Sequence, residues 1–361
     1  MTKRIRALIA AAIAGAALAP TSAAAQFYKD KTLTLLINYG AGGNADTEAR
    51  VYQKYLSKYI PGNPAIIIQN APGAGGINAI NLLGLGIGGA RPDGYTMSYF
   101  TISATDIIVE NPALKVPVVD FQIVAGARGW NVAYGRKDIP PGINKPSDLV
   151  KAKSIFAGGY SRSSSHDTRL RLSLEVLGLP YKMVTGFPAT ADINKAMIQG
   201  EVNFSGSSLP GYQTQVIPQI INPGIGIPFW QFPVVGPNGK PVGNAGLTKA
   251  GIPIFDEVYR DAFGKDPSGP KYDALLMMND IGTKLQRGMM FPKGAPREAL
   301  DTMRKAILQL AQDPDFQADF QRVTAEKAVL VGAEELEPLF ERVRKIDPVI
   351  KKTLQDSIDK E

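Results

Sequence analysis

Three times along this chain a short apolar run gives way to a glycine- or serine-rich turn that opens directly into a stretch of helical periodicity. The first turn, Asn38-Tyr39-Gly40-Ala41-Gly42-Gly43-Asn44, joins a strand predicted at 33–37 to a helix at 45–59. The second, Asn70-Ala71-Pro72-Gly73-Ala74-Gly75-Gly76, joins a strand at 65–68 to a helix at 77–85. The third, Ala157-Gly158-Gly159-Tyr160-Ser161-Arg162-Ser163-Ser164-Ser165, joins a strand at 154–157 to a helix at 165–177. Alternation of this kind dictates an α/β architecture. Each turn aims backbone N–H groups at a point near a helix N-terminus, which suits an anion, and open α/β sheets take ligands at the carboxyl ends of their strands. A single glycine turn serves tight geometry more often than ligand contact. Three in agreement shift the balance toward a ligand.

What the turns lack narrows the ligand. None closes on Gly-Lys-Ser or Gly-Lys-Thr, and none reads G-x-G-x-x-G with a ribose-binding acid downstream, so nucleotides fit poorly. The chain has no cysteine, hence no disulfide framework, thiol nucleophile or thiolate metal site, and its single histidine, His166, excludes two-histidine metal centres. No metal or cofactor is expected. Lys3, Arg4 and Arg6, the apolar run from 7 to 19 and Ala23-Ala24-Ala25 read as a secretory leader over 1–25, cleaved near Ala25. That leader carries three basic residues and no acid, so removing it lowers the net charge from +7 to +4. The remaining basic residues are dispersed among acids, which argues against nucleic acid as a partner.

Further strands are predicted at 95–101, 121–127 and 202–204, and a further helix at 192–199. Proline and glycine crowd 218–251, which reads as a long loop or crossover. Helices follow at 295–311 and 314–323, with a helical tail over 333–357 spaced by Leu336, Leu339, Phe340, Val343, Ile346 and Val349. The length after cleavage suits two domains.

The run Gly42-Gly43-Asn44-Ala45-Asp46-Thr47-Glu48-Ala49-Arg50, the second turn, and Arg91-Pro92-Asp93-Gly94-Tyr95-Thr96 together resemble the periplasmic solute receptors of tripartite tricarboxylate transporters, the Bug family. Ser163-Ser164-Ser165-His166, Ile198-Gln199-Gly200-Glu201-Val202-Asn203 and Phe291-Pro292-Lys293-Gly294-Ala295-Pro296 add support, so the resemblance spans nearly the whole mature chain. It implies a two-lobed type II periplasmic binding protein fold with a helical C-terminal tail. One lobe would comprise 26–125 and 232–330, the other 126–231, and the tail 331–361.

It also implies a periplasmic monomer that closes on a small organic carboxylate, a dicarboxylate or an aromatic acid, and delivers it to membrane transporter subunits without transforming it. By the same resemblance the ligand would be held by Tyr39, Ala41, Gly42, Gly43 and Asp46, by Gly73, Ala74 and Gly75, and by Ser161, Ser163, Ser164 and Ser165, with Arg162 the best placed cation. Arg128 and Arg169 are alternatives to Arg162, but all three read more naturally as surface residues. A charge-assisted hydrogen bond contributes about 1.5–3 kcal/mol, so four or five reach the roughly −8 kcal/mol of micromolar binding after the costs of association.

Asp46 admits two readings, helix-start stabilisation or contact with a ligand amino or hydroxyl group, while Glu48 is assigned to solvent. Trp130 and Trp230 fit either a cleft wall or the core. A rival class, a serine hydrolase using Ser164 and His166, lacks a G-x-S-x-G elbow.

Overall fold

The computed structural model describes residues 27–236 and 238–359, so the predicted leader over 1–25 and its cleavage site lie outside the described residues. The chain opens with β1 (Thr32–Ile37), α1 (Asn44–Tyr55), β2 (Ala65–Asn70), α2 (Ile77–Leu85), β3 (Thr96–Thr101), α3 (Ala104–Ile108) and β4 (Gln122–Ala127). It crosses at 128–130 into β5 (Asn131–Arg136), β6 (Ile155–Gly158), α4 (Ser165–Val176), β7 (Tyr181–Val184), α5 (Thr190–Gln199), β8 (Phe204–Ser208) and β9 (Gly226–Gln231). The return runs through the ribbon β10 (Val234–Val235) and β11 (Pro241–Val242), then α6 (Phe255–Phe263) and α7 (Pro270–Lys284). The last part holds β12 (Arg287–Phe291), α8 (Arg297–Leu310), α9 (Pro314–Thr324), β13 (Leu330–Gly332), α10 (Ala333–Arg344) and α11 (Pro348–Asp359).

Hydrogen bonding sorts these strands into a six-stranded sheet, β13-β4-β12-β3-β1-β2, and a five-stranded sheet, β7-β6-β8-β5-β9. Both are mixed: β1 pairs in parallel with β2 and β3, and β6 with β7 and β8, whereas β12 and β5 run antiparallel to both neighbours. The register Ile37↔Tyr99 and Ile37↔Asn70 brings the carboxyl ends of β1, β2 and β3 to one edge of the first sheet. Central strands are buried on both faces, as in β3 and β12, where even Thr96, Ser98 and Arg287 are out of solvent. α1 buries Ala45, Ala49, Val51 and Tyr52 along one stripe against β1 and β3.

One apolar cluster joins Leu36, Ile80 and Phe100 of the first sheet's surroundings to Leu170, Phe204 and Trp230 of the second through Leu275, Met278 and Ile281 of α7. α11 seals that side, packing on α7, α3 and α4 and burying Leu354 completely.

Three predicted elements differ. The described residues of 218–251 hold regular elements: Pro218 lies within a π-helical segment Tyr212–Ile221, and β9, the β10–β11 ribbon and a short helix Ala245–Lys249 follow. Pro228 is tolerated because β9 is an edge strand, where a ladder donor can be dispensed with. The tail is two helices, since Pro348 starts a new helix after a break at 345–347. The predicted helix at 45–59 tightens into a 3₁₀ turn from Leu56 to Tyr59.

Candidate functional site

The first two glycine turns form one surface. Tyr39 donates its hydroxyl to the Gly75 carbonyl at 3.1 Å, and the Asn70 amide donates to the Tyr39 carbonyl at 3.0 Å. Beneath them, buried Asn38 pins the end of β1 to the end of β3, donating to the Thr101 carbonyl and accepting from the Thr101 N–H, both at 2.9 Å. The second turn carries four successive positive φ angles, at Gly73, Ala74, Gly75 and Gly76. At Gly76 a Cβ would sit 2.4 Å from Asn38 Nδ2, whereas at Gly75 it would enter open space. Positive φ at four residues in succession folds this turn tightly against Asn38, a course that glycine adopts without steric cost.

Asp46 takes the first of its two readings. Buried in the first turn of α1, it accepts from the Gly42 N–H and Arg50 Nε through Oδ2, and from Arg50 Nη2 and Asn70 through Oδ1. Those bonds hold its carboxyl below the ordinary aspartate range despite burial. Both oxygens therefore serve to fix the turn. Glu48, assigned to solvent from the sequence, is corrected: it is buried, chelates Arg287 Nε and Nη2 at 2.9 and 2.7 Å and accepts from the Tyr99 hydroxyl. The reason is its position on α1 over β3, where an acid is retained only with a paired cation.

On the opposite lobe, Ser164 caps α4, accepting from the Asp167 N–H and donating to Asp167 Oδ1 at 2.9 Å. The Tyr160 N–H donates to the same oxygen, and burial pushes the Asp167 carboxyl up to about 6. Ser165 reaches the first lobe. Its hydroxyl accepts from the Thr105 N–H at 3.1 Å and lies 3.2 and 3.3 Å from the hydroxyls of Thr105 and Ser103. Ser161 and Ser163 are exposed beside it. The hydrolase geometry is not formed, because Ser164 bonds Asp167 while His166 Nε2 is buried without a partner, in a half-buried ring that desolvation and Arg169 push down to about 3. That imidazole is neutral and packs against the Tyr160 ring, the two tilted by 46° with centroids 4.5 Å apart.

The predicted cations are redistributed. Arg162 donates to the Ile358 and Asp359 carbonyls, both at 2.9 Å, capping the end of α11 where unpaired carbonyls attract a cation. Arg128 pairs with Glu335 at 2.9 Å. Arg169, read as a surface residue, is 5 % exposed. Trp130 and Trp230 are both core residues.

An interlobe cavity of about 210 Å³ opens on the α1 flank, lined by Asn44, Thr47, Arg128, Ser208, Gln215 and Gln286 among others. Of the sequence-predicted candidates only Arg128, an alternative cation, lines it; none of those in the glycine- or serine-rich turns does, though Asn44 adjoins Gly43. Ser103 and Thr105 also escaped sequence reading. Their signal was the Ser103-x-x-Asp106 spacing of a helix start, realised as the Ser103 hydroxyl capping the Asp106 N–H.

Two α/β lobes facing each other with strand ends and helix N-termini at the junction define a periplasmic binding protein fold, and solved structures agree. A TctC solute-binding protein from Polaromonas superposes with a TM-score of 0.66 at 18% identity, covering 91% of this chain and 99% of that one. MatC from Rhodopseudomonas palustris, solved with malate, gives 0.55 at 18% identity over 91% and 99% of the two chains. An R. palustris protein solved with adipate gives 0.60 at 16% identity over 90% and 97%.

No family model matches the chain. In sequence, it is 33% identical over 325 residues to a UPF0065 protein of Bordetella bronchiseptica, covering 86% of this chain and 82% of that protein. The chain belongs to the UPF0065, or Bug, family. Two further UPF0065 proteins match over shorter spans, one of Cupriavidus necator at 32% identity over 35% of this chain, one of Agrobacterium vitis at 27% over 52%. The chain spans 37% and 54% of the lengths of those two relatives.

Proposed function

We propose that this protein is an exported, periplasmic receptor that closes its lobes around a small organic carboxylate and presents it to membrane transporter subunits as an unaltered cargo. The observation that carries the reading is the joining of the first two turns, Tyr39 to Gly75 and Asn70 to Tyr39, beside a serine-rich turn of the other lobe that touches the first lobe at Thr105 through Ser165. In this reading Ala41, Gly73, Ala74 and Gly75 offer main-chain donors and Tyr39, Ser161, Ser163 and Ser165 offer hydroxyls, while Gly42 and Gly43, whose N–H groups bond Asp46 and the Gly40 carbonyl, shape the loop together with Asp46 and Ser164. The lobes are taken as 26–125 with 232–330 and 126–231, with 331–361 as the tail. Malate and adipate in structural neighbours support a dicarboxylate over an aromatic acid as the first class to try.

A thermal-shift screen of mono-, di- and tricarboxylates tests it, because a ligand bound only by the native state raises stability by about 2.7 kcal/mol at a hundred times its dissociation constant. A saturable upward shift with the compound recovered intact is the expected result. A flat panel, or turnover lost in Ser164→Ala, overturns it.

A further inference from the structure

Arg169 is a buried cation without a counter-ion. It stands on α4 one helical turn after Ser165, on the same face, and its relative exposure is 5 %. Among the described residues no carboxylate lies within ion-pair distance of it. Its one hydrogen bond runs from Nε to Asn279 Oδ1 at 2.7 Å, and its guanidinium lies 5.4 Å from the centre of the Phe232 ring. The other guanidinium nitrogens reach the junction of three elements: a Cβ on Gly282 of α7 would meet Arg169 Nη2 at 3.0 Å and Ala104 of α3 at 3.8 Å.

The neighbouring polar groups do not supply what is missing. Asn279 turns its oxygen to Arg169, so its buried Nδ2 is left as a donor with no acceptor. Two donor groups side by side, one of them charged, with no acceptor between them, make a local arrangement that an anion completes. His166, the other titratable group on this face, is neutral, and desolvation lowers the Arg169 guanidinium only to about 10, leaving it charged at neutral pH. Two other buried cations near the lobe junction already have their acids, Arg287 in Glu48 and Lys284 in Asp280. A buried charge whose partner is absent is costly, and such sites persist where a partner arrives later.

We propose that Arg169, with Asn279 beside it, is the specificity determinant that receives a second anionic group of the cargo, so that the receptor selects dianions over monoanions. This rests on the receptor reading above and assigns the charge-reading role to Arg169 in place of Arg162.

The test is titration calorimetry on the full mature chain with the α,ω-dicarboxylates from succinate to adipate, each against its monoamide, using wild type, Arg169→Met, Arg169→Lys and Arg162→Ala. Wild type is expected to prefer a diacid over its monoamide by about tenfold or more, the discrimination of one charge-assisted hydrogen-bonded contact. Arg169→Met should erase that preference while leaving monoamide affinity in place, Arg169→Lys should restore part of it, and Arg162→Ala should leave it intact. Because Met removes an unpaired buried charge, ligand-free Arg169→Met should unfold at or above the wild-type temperature. A wild type that binds monoanions as well as diacids overturns the proposal and leaves the receptor reading standing. So does an Arg169→Met protein that keeps the preference, or one that loses diacid and monoamide affinity alike. Binding of no carboxylate by wild type overturns both.

Discussion

Asp167 shows how one side chain serves a turn at a cost. Its Oδ1 accepts from the Tyr160 N–H and the Ser164 hydroxyl, but its Oδ2 is buried without a partner. Burial raises the carboxyl from 3.8 to about 6 in the folded protein. A raised folded-state value means the folded chain holds the proton more tightly, so this group's stabilisation is present below about pH 4 and is lost as pH rises through about 6. Asp167→Asn keeps the accepting oxygen and removes the charge. It should raise the melting temperature by a few degrees at pH 7 and leave it unchanged near pH 4, which differential scanning calorimetry across that range measures. An equal effect at both pH values would show that the amide, not the charge, matters. The sequence exposed Asp167 only as the third residue after a cap; nothing in its pattern revealed that the carboxyl would be sealed from water.

At the level of elements, the turns were legible because glycine punctuates them, while their side-chain partners were not. Gly76 and Gly75 look alike in sequence, yet a Cβ at Gly76 collides with Asn38, which ties β1 to β3, and one at Gly75 meets nothing. Both have positive φ, so each alanine costs about 1 kcal/mol of backbone strain. Gly76→Ala should therefore cost a further 1–3 kcal/mol or so from the displaced, buried Asn38 amide, read as a lower urea midpoint than Gly75→Ala. Gly75→Leu, projecting into open space, should cost no more than that strain of about 1 kcal/mol and abolish carboxylate binding. The strands and helices with clean periodicity, β1, β2, α2 and α8, were readable for the same local reason. β12 was missed because Arg-Gly-Met-Met-Phe has no β-branched residue and no alternation, and its identity as a central strand depends on β3 and β4 around it. Arg169 was misread because periodicity places a residue on a face without saying that α7 covers that face.

For the whole molecule, the two sides of the lobe junction differ in kind. On the α3 and α4 side, one apolar cluster joins the two sheets through α7, and α11 adds Lys351 to Glu110 at 2.6 Å and the Arg162 bonds at its end. On the α1 side lies the open interlobe cavity, with polar residues on both walls. Removing residues 347–361 uncovers Leu354's seat and frees the last carbonyls' cation, so the truncated chain should melt several degrees lower. An unchanged melting curve would mean that the tail is not part of the cooperative unit.

A book with its spine along the tail helix opens at the fore-edge, and this molecule has such a spine. Because the native chain contains no cysteine, paired nitroxide labels can be introduced without background. Labels at Asn44 and Thr214, facing each other across the fore-edge, should report a wide spread of separations that narrows when cargo is added. Labels at Ala113 and Lys352, beside the spine, should give one sharp separation throughout.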